Sequence, residues 1–207
     1  GAPHATHFTA NCVVEKEGVR SFVFKREEVA LARNWDYMGL NATAGHSFSV
    51  TDLQVPFNRT FFIDSSAAVL PAPVYRYPFL QLAHATLAVN LSGMSVYFLD
   101  LAEPLMKSIT ARHRLEDAKR NIQKLREQFY TALDHSWKLH LANDPLFIDH
   151  LHSVTETSIT LAQGSRELVD AIYPSCGLAA ARNDSTVNQV WRNIHTASQH
   201  TLLHPGD

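Results

Sequence analysis

Leu115, Ala118, Ile122, Leu125, Phe129, Ala132 and Ser136 follow one another at alternating three- and four-residue steps. Only an α-helix brings residues spaced in this way onto one face. A single apolar face must be covered, so the spacing predicts one long helix of a bundle. Asn143-Asp144-Pro145 stops it, with Pro145 near the start of a helix running from about Leu146 to Ile172. Pro174 and Gly177 end that helix. Upstream, Phe79 to Leu101 predicts another helix, in which Gly93 allows close packing. Downstream, Asp184 to His200 predicts the last, with Thr186 and Gln189 as a capping box. Four helices joined by short loops predict an antiparallel four-helix bundle over 79–207.

The first sixty residues have a different period. Thr6 to Val14 alternates, Glu15 to Gly18 is a turn, and Val19 to Lys25 is a second strand. Val29 to Ala32 and Phe48 to Val55 predict two more, the latter closed by Pro56. Between them, the glycines of the Trp35–Gly45 loop stand where turns would need them. Four short strands make an incomplete barrel or sandwich with open edges. The class is therefore α+β, a partial β-domain at 1–64, an Ala/Pro/Ser linker at 65–78, then the bundle. No internal repeat is present.

The 207 residues carry 18 Lys and Arg against 20 Asp and Glu, with no basic run, which argues against nucleic acid and anionic membrane as partners. Cys12 and Cys176 stand alone, without a metal-ligand spacing, and suit a reducing cytoplasm. No signal peptide is expected within these residues. Polar residues interrupt the longest apolar segment, Phe79 to Leu105, which reads as a buried helix.

The last helix carries two stripes. Val187, Val190, Trp191, Ile194, Ala197 and Thr201 form one to be buried. Asn193, Thr196, His200 and His204 form the other, polar but without the Lys and Glu of a solvated face. It reads equally well as a pocket lining or as a rim between domains. The pairs His200/His204 and His150/His152 have helical or local spacing but no third metal ligand, and no metal site is expected. Nucleophile elbow, phosphate loop and dinucleotide glycine fingerprints are absent.

Three segments resemble the acyl-CoA dehydrogenase superfamily, and within it the two-component flavin monooxygenase branch. Gly1-Ala2-Pro3-His4-Ala5 is similar to the end of that branch's Ser-Ser-Gly strand motif. Trp35-Asp36-Tyr37-Met38-Gly39-Leu40 through Val50-Thr51-Asp52-Leu53-Gln54-Val55-Pro56 resembles the superfamily's middle-domain signature. Val190-Trp191-Arg192-Asn193-Ile194-His195-Thr196-Ala197-Ser198-Gln199-His200 resembles the branch's closing Trp-Arg-Asp-x-His-Thr helix.

The resemblance implies a middle β-domain, a C-terminal helical domain, homo-oligomers (tetramer or dimer), and a bound flavin, FMN or FAD. It implies reduced flavin from a separate reductase, O2, and a small aromatic-type substrate. By the same resemblance His200 is the catalytic histidine, orienting or deprotonating a hydroxyl. Asn193, Thr196 and His195 would orient substrate or flavin. Gly177, Ser185, Thr186, Arg192 and Asn41 would hold the cofactor, the helix start offering N–H groups to an anion.

The chain departs from the branch at Asn41, where Arg is usual, and at Asn193, where Asp is usual. Thr201 stands where many dehydrogenases place a glutamate base. Two other outcomes are an acyl-CoA dehydrogenase with its base elsewhere, for instance Glu103, and a non-catalytic relative. Members of the superfamily also have an N-terminal helical domain, which the expectation places outside these residues.

Overall fold

The computed structural model describes residues 1–204. The last three residues of the expected bundle domain, 205–207, lie outside them. The chain divides into two compact units, Gly1–Phe79 and Leu80–Asp207.

In the first unit, β1 (His7–Val14) and β2 (Gly18–Lys25) form an antiparallel hairpin that pairs His7 with Lys25 and Val14 with Gly18. Gly18 closes the turn at φ +84°, a left-handed conformation that glycine adopts at no steric cost. β2 also pairs with β5 (Thr60–Phe61). A separate two-stranded sheet joins β3 (Ala30–Ala32) and β4 (Ser47–Ser49). The β half is thus two small antiparallel sheets. β5 was not legible because two residues show no period, and the strand expected to reach Val55 ends at Ser49. The first residues also differ from the strand motif they resemble: Ala2–His4 is a 3-10 turn with Pro3 near its start.

Phe8, Phe24 and Val29 form the core of this unit, with Phe22, Leu31 and Phe48 packed against them. The Phe48 ring meets Phe8 at 5.1 Å and Phe24 at 6.3 Å between centroids. The Trp35 loop corrects the expected use of its glycines. Its left-handed positions are held by Leu40 (φ 56°) and Ala44 (φ 47°). Gly45 is needed for space instead, since a β-carbon there would lie 2.9 Å from the Trp35 ring.

The second unit contains α1 (Phe79–Ala102, whose first residue belongs to the first unit), α2 (Ile109–Ala142), α3 (Phe147–Ile172) and α4 (Thr186–Ala197). The stripe that predicted α2 is the buried one, with Leu115, Ala118, Ile122, Phe129 and Ser136 all inside. Ser108 caps its start through the Ala111 N–H, and Asn143 ends it at φ 52°. One core runs through all four helices, from Phe98 and Leu99 to Phe129, Leu161, Val169 and Ile194.

Gly93 is not a close-packing point, because a β-carbon there meets nothing within 4 Å. That role falls to Gly164 of α3, where Leu125 of α2 lies 2.6 Å from the β-carbon position. Phe79–Leu105 is long and apolar enough by composition to cross a membrane, yet 44% of its apolar window is buried inside the fold.

Candidate active site

The polar seam expected on one continuous helix is split. α4 ends at Ala197, Ser198 forms its C-cap, and His200 begins a short 3-10 turn at Thr201–Leu203. Side chains finish the helix end. Ser198 Oγ donates to the His195 carbonyl (3.2 Å), and the His204 ring nitrogen Nε2 donates to the Ser198 carbonyl (2.7 Å). These two bonds satisfy carbonyls that the stopped helix leaves without partners. Val187, Val190 and Ile194 are buried as expected, Trp191 and Ala197 are half-buried, and Thr201 is exposed.

Asn193 and Thr196 are half-buried on α4, and Thr196 Oγ1 donates to the Arg192 carbonyl (3.0 Å). His200 is exposed, its Nδ1 accepting the Leu202 N–H at 3.3 Å. A neutral His200 bonded in this way carries its proton on Nε2, so it presents a donor outward. His204 lines a cavity of about 320 Å³ together with Gln163, Arg166, Glu167 and Ser198.

His195 is the most constrained histidine of the segment, with a side chain only 15% exposed. Its ring lies on Trp191 at 4.1 Å, and Trp191 lies on Tyr173 at 5.0 Å. Nδ1 faces the Trp191 carbonyl at 2.8 Å, and Nε2 faces Asp170 Oδ1 of α3 at 2.9 Å. Sequence reasoning missed Asp170 and Tyr173. The only local sign of Asp170 is its i, i+4 spacing from Arg166, which reads as an ordinary surface pair (3.6 Å in the structure).

The start of α4 corrects the expected capping box. Ser185 is the N-cap, its side chain caps nothing, and Thr186 is the first helical residue. The third helical residue is Asn188 rather than Gln189. Asn188 is buried and donates to the Tyr173 hydroxyl (3.0 Å). The first-turn N–H groups therefore have no side-chain acceptor at the N-cap.

Arg192 Nη2 donates to the Asn183 carbonyl (3.1 Å), while its Nε is buried without a hydrogen-bond partner. Gly177 stands exposed at φ +72°, ψ −174° between two short turns, with open space around its β-carbon position. Arg182 makes a bidentate pair with Asp184 (3.0 and 2.7 Å), which holds the Asp184 carboxyl below its ordinary range. In the first unit, Asn41 is exposed and opens the short turn 41–43.

Glu103, the alternative base, follows α1 and binds Lys119 at 2.8 Å with its side chain 60% exposed. An exposed carboxylate engaged by an ammonium is a poor base, and the structure gives it no other distinction.

Two small antiparallel sheets followed by four helices and a histidine-bearing closing segment define a protein of the acyl-CoA dehydrogenase-like fold. The chain belongs to the family described as acyl-CoA dehydrogenase, C-terminal domain, whose model matches residues 82–205.

Among relatives, it is 24% identical to an indole-3-acetate monooxygenase of Pseudomonas putida, over 89% of this chain and 50% of that one. It is 21% identical to the flavin-dependent monooxygenase oxygenase subunit HsaA of Rhodococcus jostii strain RHA1, over 99% of this chain and 60% of that protein. The crystal structure of a 3-HSA hydroxylase from Rhodococcus sp. RHA1 superposes with a TM-score of 0.89 at 20% identity, covering 98% of this chain and 58% of that one. The chain thus spans about half to three-fifths of the length of these proteins.

Proposed function

We propose that this chain is part of the oxygenase component of a two-component flavin monooxygenase, which hydroxylates a small aromatic-type substrate with reduced flavin and O2. The observation that carries the reading is the closing segment. From Thr186 to His204 it holds histidines and hydrogen-bonding residues and no carboxylate, with a threonine at 201 and Glu103 engaged by Lys119. The names of the relatives, one a flavin-dependent oxygenase subunit, support it.

The donors at the start of α4 fit an anionic cofactor. The first-turn N–H groups lack a side-chain cap, and Arg192 Nε is buried without an acceptor. Ser185, Thr186 and Arg192, with the unobstructed backbone of Gly177, would hold a flavin phosphate, FMN or FAD. Asn41 would offer an amide where the branch usually has a guanidinium. Bound reduced flavin supplies the electrons that activate O2.

The chain's own residues orient and protect. His200 offers Nε2–H to a substrate oxygen. To take up a substrate proton at Nδ1, the ring would first release the Leu202 N–H. Asn193, Thr196 and His195 share the adjoining turns of α4 and would orient substrate or flavin. The whole protein would work as a cytoplasmic homo-oligomer, a tetramer or dimer, with a separate flavin reductase as its partner.

The test is hydroxylation by the natural gene product with NADH, an added flavin reductase and FMN or FAD. A panel of phenols and heterocycles is expected to yield a hydroxylated product. No product across the panel counts against the reading.

A further inference from the structure

His195 poses a hydrogen-bond accounting problem. Nδ1 meets a backbone carbonyl and Nε2 meets a carboxylate, and both oxygens are acceptors. A neutral imidazole has one N–H, so it can serve only one of them; an imidazolium serves both.

Two positions at helix ends favour a cation on this ring. His195 lies in the last turn of α4, where the C-terminal end of the helix dipole favours a cation. Asp170 lies in the last turn of α3, the unfavourable end for an anion, and no basic residue stands in that turn. Its basic neighbours are Arg166, one turn earlier, and His195 across the helix interface.

We propose that Asp170 is a positioning residue: it holds His195 as a doubly donating imidazolium, a fixed cation on α4 stacked on Trp191. With both nitrogens engaged, His195 cannot accept a proton or a hydrogen bond. His200 is then the histidine of the segment with a ring nitrogen turned to solvent and available to a substrate. The functional half of this assignment rests on the flavin monooxygenase reading, and the structural half rests on the hydrogen-bond geometry alone.

Nitrogen NMR of histidine-labelled natural protein, near neutral pH, tests the structural half. The His195 signals are assigned by their loss in the H195F variant. Both His195 ring nitrogens are expected in the protonated range. In D170N the amide can turn its NH2 to Nε2, and the two signals are expected to split into the pattern of a neutral ring. D170E is expected to restore the paired pattern. A neutral His195 in the wild type, or a pattern unmoved in D170N, overturns the proposal.

The functional half is read as product formed per flavin oxidised, with thermal melts confirming that each variant folds. That ratio is expected to fall in D170N and to recover in D170E. Unchanged coupling in D170N overturns the positioning role. If the wild type gives the cationic pattern but no product on any substrate, the monooxygenase reading fails while the charge assignment stands.

Discussion

Asp170 of α3 and His195 of α4 meet at 2.9 Å, each in the last turn of its own helix. The contact ties the end of one helix to the closing segment, and it depends on both partners being present. Removing the carboxylate leaves a nearly buried imidazole nitrogen without an acceptor, which costs about 1–3 kcal/mol. Urea unfolding of D170A is expected to show a loss in that range. R166A removes a 3.6 Å pair between side chains about 40% exposed and is expected to cost below about 1 kcal/mol. Equal losses in the two variants would contradict the difference drawn between the contacts.

The two helix glycines are expected to respond differently to alanine. At Gly93 a β-carbon has open space, so G93A gains helix propensity and should stabilise the chain by about 0.5–1 kcal/mol. At Gly164 the same methyl drives Leu125 aside, and the strain of about 0.5–1.5 kcal/mol cancels the gain. Denaturant midpoints of G93A and G164A check this directly.

Burial pushes the Cys176 thiol up to about 11, so almost none of it is thiolate at neutral pH. Cys12 is half-buried, on β1. Alkylation of the native protein, followed by mass spectrometry, is expected to label Cys12 well before Cys176. Denaturant should remove the difference.

Arg59 holds the Glu28 carboxyl below its ordinary range, first through a 2.6 Å hydrogen bond and then with help from the Lys25 N–H. A depressed carboxyl contributes stability above its unfolded pKa and loses it as pH falls through the folded one. Acidification below the ordinary carboxylate range should therefore loosen the first unit. E28Q should be less stable at neutral pH and less sensitive to acid. Amide exchange along β1 and β2, followed against pH, measures both.

Much of this fold is legible in the sequence where burial imposes a period. The stripe from Leu115 to Ser136 defines α2 because its members face the core at every turn. The β1–β2 hairpin is legible from alternation around the Glu15–Gly18 turn. β5 is only two residues long and has no period to read.

The candidate site is legible only along the chain. His195, His200 and Arg192 stand out on one segment, but nothing local announces that Asp170 meets His195 across a helix interface. Local chemistry also hides the break after Ala197. The i, i+4 spacing of His200 and His204 looks helical, yet His204 turns back to satisfy the Ser198 carbonyl. The left-handed Leu40 and Ala44 show the converse, since the backbone conformation there favours glycine and the loop uses other residues.

The most direct measurement compares wild-type and H200A forms of the natural gene product, each given chemically reduced FMN or FAD, O2 and a productive phenol. Wild type should hydroxylate, and H200A should bind flavin equally well while its hydroxylation rate falls by about a hundredfold or more. Full hydroxylation by H200A would show that the closing histidine takes no part in the chemistry.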